Sequence, residues 1–244
     1  MPNKSWFEDW FNSPYYHILY ANRSEEEAEL FIKAIVEFLN LSKGEKVIDI
    51  ACGKGRHAKT MAKLGLDVTG IDLSPNSIVE ANLCACANLK FDVWDMRKTY
   101  MAKTYDVVFN LFSSFGYFSD DSEDLACIHA FAENLKPGGL LVFDYLNTEW
   151  AVKNMKHREI IQRNELQFHI EKKLENGFIK KKVDFLVNGE NYSFEEQLKV
   201  INEYKIKTML QQSGFIVQHT FGDYHLAPFE SSRSPRLIIV AKKL

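Results

Sequence analysis

Lys46-Val47-Ile48-Asp49-Ile50 followed by Ala51-Cys52-Gly53-Lys54-Gly55 reads as a short apolar strand running into a glycine turn, with a helix from about Arg56 to Leu64. A glycine turn between a buried strand and a helix exposes backbone N–H groups and lets a ligand approach the main chain. Gly65 closes that helix, and a second strand, Asp67-Val68-Thr69-Gly70-Ile71, ends at Asp72. This acid lies 17 residues after Gly55, placed to accept hydrogen bonds from ribose hydroxyls.

The same alternation continues downstream. Ser74-Pro75 predicts a helix start, with serine as N-cap and proline in the first turn. A third strand is expected near Leu89–Val93 and a fourth at Asp106–Asn110, apolar enough to be buried on both faces. A helix follows from about Ser122 to Leu135, then a Pro137-Gly138-Gly139 turn and a fifth strand, Leu140–Asp144. Strand–helix alternation of this kind predicts a parallel sheet with helices on both faces.

Beyond Trp150 the pattern changes to broken alternation over residues 158–202, with Asn176-Gly177 and Asn188-Gly189 as hairpin turns. This predicts a small antiparallel sheet, inserted before a final helix (about Asn202–Ser213) and closing strands at Phe215–Val217 and Arg236–Val240. The fold class is therefore α/β: a Rossmann-like seven-stranded mixed sheet plus an antiparallel insertion. Upstream, Ser24 and Glu27 form a capping box for a helix with an Ala28, Phe31, Ile32, Ile35, Leu39 stripe. The first 23 residues carry Trp6, Phe7, Trp10, Phe11, Tyr15, Tyr16 and Tyr20, expected as short helices interrupted at Pro14.

With 244 residues, 46% hydrophobic and 26% charged, the chain has the composition of one globular core with a modest insertion. Its net charge of −3 lacks the basic surplus of a phosphate-neutralising binder, so no nucleic-acid partner is expected. No leader or membrane-spanning run is apparent, so a cytoplasmic protein with no membrane partner is expected. Cys52, Cys84, Cys86 and Cys127 form no CxxC pair; buried reduced thiols are expected and no metal site.

Two cofactor classes share the glycine-turn layout. Gly53-x-Gly55-x-x-Ala58 satisfies the dinucleotide fingerprint with alanine in third place. Asp95, after the third strand, favours a different ligand: its carboxylate suits an adenine amino group, and Met96 suits the ring.

Val47–His57 resembles the first motif of the class I S-adenosylmethionine-dependent methyltransferases, and Gly70-Ile71-Asp72-Leu73-Ser74-Pro75 their second. Asp95-Met96-Arg97 resembles their adenine-contact region, and Leu135–Gly139 the turn before their fifth strand. The resemblance covers most of residues 40–145 and implies S-adenosylmethionine as cofactor. Its cofactor-binding residues would be Asp49, Ala51, Cys52, Gly53, Gly55, Asp72, Leu73, Asp95, Met96, Asn110 and Phe112. Tyr15–Tyr20 with Arg23, the Phe112–Tyr117 run and the inserted strands are similar to small-molecule methyltransferases, among them sugar N-methyltransferases. That narrower likeness implies Tyr20 and Arg23 near the methionine carboxylate, and a substrate pocket under the inserted sheet.

The expected organisation is a cofactor domain of residues 1–149 and 203–244, with an aromatic lid over 1–23. Residues 150–202 form a substrate cover or a dimer element, so a homodimer is an allowed assembly. Methyl transfer must align an unprotonated acceptor with the S–CH₃ axis. Candidate catalytic groups are His225 and Tyr224 in the last long loop, Tyr117 after the fourth strand, and His17 in the lid. Tyr16, Ser114, Arg233 and Arg236 are candidate contacts for a small-molecule acceptor. Asn110-Leu111-Phe112-Ser113 departs from the Asn/Asp-Pro-Pro-aromatic signature of enzymes that methylate bases or glutamine side chains. An NAD-linked oxidoreductase and a non-catalytic nucleotide-binding protein remain alternatives.

Overall fold

The structure is a computed structural model that describes residues 6–21 and 25–244, apart from the side chain of Glu8. The predicted Ser24 cap and the Arg23 site residue lie outside the described residues.

Strand β1 (Lys46–Ile50) is central, paired in parallel with β2 (Asp67–Asp72) on one side and β4 (Tyr105–Asn110) on the other. β3 (Leu89–Val93) extends the sheet beyond β2. β5 (Leu135–Leu146) lies parallel to β4, β11 (Arg236–Lys243) runs antiparallel to β5, and β10 (Phe215–Phe221) closes the edge. The order is β10-β11-β5-β4-β1-β2-β3, a seven-stranded mixed sheet. The chain steps from β1 towards one edge, then returns to β4 and builds towards the other. Open α/β sheets bind ligands in the crevice at such a reversal, outside the carboxyl ends of the strands.

The period of two in β1 divides its residues between two packed layers. Val47 faces α3 (Glu25–Phe38) and α4 (Arg56–Lys63), joining Phe31, Ile32, Ile35, Ala58 and Met61. Ile48 and Ile50 face α6 (Asp121–Asn134) and α8 (Glu203–Gln212), joining Cys127, Ile128, Phe131, Ile206 and Leu210. Asp49 shares the face of Val47, which puts a carboxylate beneath the first turn of α4.

The short helices α1 (Trp6–Phe11) and α2 (Pro14–Leu19) are separated at Pro14, whose preceding Ser13 caps α2 through a bond from the Tyr15 N–H (3.2 Å). They pack on the inserted sheet, a meander of β6 (Arg158–Arg163), β7 (Leu166–Glu175), β8 (Phe178–Val187) and β9 (Glu190–Lys199). Asn176-Gly177 (φ 51° and 79°) and Asn188-Gly189 (φ 52° and 84°) supply the paired left-handed residues of two-residue hairpins. Trp10 is fully buried between the layers, stacked on Phe194 with ring centres 4.4 Å apart. A last short helix, α7 (Thr148–Lys153), leads from β5 to this sheet.

Two expectations need correction. The Pro137-Gly138-Gly139 turn is a bulge within β5: the register passes from Tyr105↔Leu135 to Val107↔Leu140, so the extra residues loop out while pairing resumes. Cys84 and Cys86 are exposed rather than buried, because α5 (Pro75–Ala81) stops before them and a 3₁₀ turn, Asn82–Cys84, carries the chain outward. Cys52 and Cys127 are buried as free thiols. Among the described residues no helix is long and apolar enough to cross a membrane, and no cluster of metal-ligating side chains occurs.

Candidate active site

The turn after β1 is built from left-handed residues: Ala51 (φ 61°), Gly53 (φ 56°) and Gly55 (φ 76°). The Cys52 N–H donates to the Ile71 carbonyl (3.0 Å) and the Gly53 N–H to Asp72 Oδ2 (2.8 Å), which ties the loop to the end of β2. The two glycines serve different needs. A Cβ on Gly55 would lie 2.5 Å from the Phe91 ring, so this glycine lets α4 pack against β3. A Cβ on Gly53 would meet nothing within 4 Å, so its surface is open.

Asp72 also accepts from the Ser74 N–H through Oδ1 (2.8 Å), bracing the start of α5, where Ser74 caps the Ser77 N–H (3.2 Å). Burial raises its carboxyl above the usual range despite those backbone donors. Asp49 is 1% exposed. Burial and the neighbouring Asp72 push its carboxyl up to about 7, against the opposing influence of Arg56 and the Ala58 N–H. Its Oδ2 is buried with no hydrogen-bond donor among the described residues.

After β3, Asp95 is gripped by Arg97 through Nε (3.0 Å) and Nη2 (2.6 Å), while Nη1 reaches Glu123 (2.6 Å). Burial alone would raise Asp95; the Arg97 bonds and charge hold it below the ordinary carboxylate value. After β4, Phe112 and Ser113 both have positive φ (59° and 60°). Asp144 of β5 holds them there, accepting from the Phe112 N–H at Oδ2 (2.8 Å) and from the Ser113 N–H at its carbonyl (2.9 Å). Asp144 in turn pairs with Arg236 Nε (2.8 Å) and accepts from the Tyr224 O–H (3.1 Å). The guanidinium of Arg56 lies 4.8 Å from the Phe112 ring centre.

The far wall comes from the inserted sheet and the N-terminal helices. Glu196 of β9 accepts from the Trp10 Nε1–H (2.6 Å) and the Tyr20 O–H (2.7 Å). Lys181, its cross-strand neighbour on β8, is 3.5 Å from Glu196 and bonds the Tyr20 hydroxyl. One continuous cleft of about 1320 Å³ joins this wall to the Asp49–Asp72 end. Pockets that hold a single small ligand commonly measure about 300–1,000 Å³, so the space suits two reactants.

The family profile described as "Methyltransferase domain" matches residues 47–139, the segment from β1 into the β5 bulge. This segment is a methyltransferase domain, of the class I S-adenosylmethionine-dependent kind. The methyltransferase is 28% identical over 213 residues to a putative methyltransferase of Geobacillus sp. strain WCH70, covering 82% of this chain and 85% of that one. It is 32% identical over 98 residues to the dTDP-3-amino-3,4,6-trideoxy-alpha-D-glucopyranose N,N-dimethyltransferase of Streptomyces venezuelae. That match covers 40% of this chain and 41% of the Streptomyces enzyme. The crystal structure of an S-adenosylmethionine-dependent methyltransferase from Clostridium acetobutylicum ATCC 824 shares the fold, with a TM-score of 0.79 at 17% identity. The superposition covers 94% of this chain and 96% of that one.

The residues present in the methyltransferase suit its cofactor. Asp49 Oδ2, without a donor among the described residues, matches an ammonium, the unobstructed side of Gly53 leaves room for a ligand against the loop, and the Asp72 carboxylate beside it is an acceptor suited to a ribose hydroxyl.

Tyr16, His17, Tyr20, Asp49, Ala51, Cys52, Gly53, Asp72, Leu73, Asp95, Met96, Phe112, Ser114, Tyr117 and Arg236 line this one cleft. Other sequence candidates lie elsewhere among the described residues. Gly55 is turned towards Phe91, and Asn110 sits beneath the floor, its Nδ2 donating to the Ile50 and Ser114 carbonyls (3.2 Å each). His225 is exposed and off the lining; its loop turns back on β10 through a Phe221–Pro228 bridge and is held by Tyr224 against α3. Tyr224, in the same loop, packs on Phe31, lies under the Arg236 guanidinium and donates its hydroxyl to Asp144. Arg233 is exposed and pairs with Glu230. Arg236, expected to face an anionic substrate, does line the cleft, and it directs Nε to Asp144 and Nη2 to Ser113.

Sequence reasoning missed Glu196, Lys181 and Asp144. A signal existed for the first two. In strand period, Glu196 falls between Phe194 and Leu198, and Lys181 between Ile179 and Val183, each a charge on an otherwise apolar face.

Proposed function

We propose that this methyltransferase methylates a nitrogen or oxygen nucleophile on a small molecule, seated between the cofactor end of the cleft and the inserted sheet. The observation that carries this reading is the continuity of the cleft from the Asp49–Asp72 pair to the Glu196–Lys181 wall. When bound, S-adenosylmethionine supplies an electrophilic methyl group on a sulfonium with a neutral leaving group. Asp72 would hold the ribose hydroxyls, Asp49 the ammonium, and Leu73, Asp95 and Met96 the adenine edge. Trp6, Phe11 and Tyr16 of the N-terminal helices, with Trp150 of α7, wall off the acceptor end with aromatic surface. Such a wall excludes water, which strengthens polar contacts within and holds the acceptor in line. Tyr117, on the lining of the cleft, donates its hydroxyl proton to the Ser113 carbonyl (2.8 Å). At this end the His17 ring and the Glu196 carboxylate are the groups basic enough to receive an acceptor's proton.

The Streptomyces relative acts on an amino sugar by name, and we extend an amine acceptor to this chain as the leading case. Incubation with methyl-labelled S-adenosylmethionine and a panel of amino sugars, aliphatic amines, phenols and thiols tests the assignment. Label on an amine or hydroxyl supports it. Label only on protein or RNA added to the panel overturns the small-molecule reading. Binding of NADH in place of S-adenosylhomocysteine would revive an oxidoreductase.

A further inference from the structure

We infer that Asp49 exchanges its own proton for the ammonium of the adenosyl amino acid, so that cofactor binding releases a proton. The inference rests on the reading that this cleft holds S-adenosylmethionine.

The argument is geometric first. Asp49 is 1% exposed, lies in the central strand under the first turn of α4, and lines the cleft. The Ala58 N–H serves one part of its carboxylate, and Oδ2 has no donor among the described residues. A buried charged oxygen without a partner is costly, and a carboxyl in that position relieves the cost by holding a proton. The charges around it favour the same outcome. Asp72 approaches from β2 with like charge, and Arg56 from α4 opposes it. Arg56 is also drawn to the Phe112 ring. The Cys52 thiol in the loop is kept protonated by burial, and His57 and Glu25 lie on the same lining from α4 and α3. The facing strand β4 presents Phe109 and Asn110, neither charged.

A ligand ammonium supplies both things the site lacks, a positive charge and a donor for Oδ2. The exchange balances: the carboxyl gives its proton to solvent, the ligand keeps its own, and a neutral acid becomes one half of an ion pair. The sign follows from the free carboxyl sitting near 7. Below that value the free protein carries the proton and the complex does not, so affinity rises with pH. Above it both states are ionised and the dependence flattens.

Calorimetry of S-adenosylhomocysteine binding, in two buffers of different ionisation enthalpy at about pH 6, reads the proton count directly. Release of close to one proton is expected, with Kd falling roughly tenfold per pH unit up to about pH 7. 5′-Methylthioadenosine, which lacks the amino acid portion, is expected to bind without proton release. The Asp49→Asn variant should bind S-adenosylhomocysteine with a flat pH profile, its fold checked by circular dichroism. The wild-type comparison of the two ligands decides the matter even if that variant misfolds. Binding of S-adenosylhomocysteine with no proton release, or equal release with both ligands, overturns the exchange while leaving the cofactor site standing. Failure of S-adenosylhomocysteine to bind at any pH overturns the cofactor reading, and the exchange with it.

Discussion

Removing the Asp144 carboxylate should unfold this protein more readily than any single loss at the cleft surface. Asp144 is 1% exposed and Arg236 13% exposed, with Nη2 and Oδ1 2.7 Å apart. Burial opposes the arginine's charge, and Asp144 more than restores it. Asp144→Ala leaves a nearly buried guanidinium without its partner. It also strips acceptors from the Phe112 N–H and the Tyr224 hydroxyl. Breaking a buried pair by deleting one member costs about 3–5 kcal/mol, because the remaining charge is left uncompensated. A loss of about 4 kcal/mol is expected, a large share of the ~5–15 kcal/mol that holds a typical domain. Urea unfolding followed by tryptophan fluorescence measures it. The double variant Asp144→Leu with Arg236→Met removes both charges and should recover at least about 2 kcal/mol of the loss, since an apolar pair of similar volume needs no counter-ion. A loss under about 1 kcal/mol for Asp144→Ala, or a double variant no better than the single, would refute the claim that this pair anchors the Phe112–Ser113 bend.

The glycines should separate by phenotype: Gly55→Ala drives a Cβ into Phe91 at a left-handed position and should lower the unfolding free energy by a few kcal/mol. Gly53→Ala meets open space, so it should cost only about 1–2 kcal/mol of backbone strain but weaken S-adenosylhomocysteine binding strongly, as read by calorimetry. Asp49 gives a pH signature in the free protein. Its folded carboxyl sits near 7 against an unfolded value near 3.8, so the unfolded chain binds fewer protons between those values and stability falls as pH rises through that window. Asp49→Asn should abolish that fall and stabilise the protein at pH 8 by up to about 4 kcal/mol relative to wild type, measured by urea titrations at pH 5 and pH 8.

The sheet was readable because its central strands are buried on both faces and so are nearly pure apolar runs bounded by turns, as in β1 and β4. Asn176-Gly177 and Asn188-Gly189 were readable for a local reason: paired left-handed residues specify a hairpin whatever surrounds them. The start of β5 was not, because whether Pro137-Gly138-Gly139 ends a strand or bulges within it depends on pairing with β4. The division of labour between Gly53 and Gly55 was likewise hidden, since it depends on Phe91, some 36 residues further on than Gly55. At the site, the residues named beside strand ends come together on the cleft lining because the fold fixes where strands end. His225 was misplaced because loop length says nothing of the direction in which a loop folds. Glu196 joins Trp10 and Tyr20 across more than 170 positions, a contact that only tertiary structure reveals.

A crystal structure of the protein with S-adenosylhomocysteine bound examines the whole scheme in one measurement. The ribose hydroxyls should lie within hydrogen-bond reach of Asp72, the ammonium should contact Asp49 Oδ2, and the sulfur should point down the cleft towards Glu196 and Lys181. Density for the ligand elsewhere, or a sulfur turned away from the inserted sheet, would contradict the account.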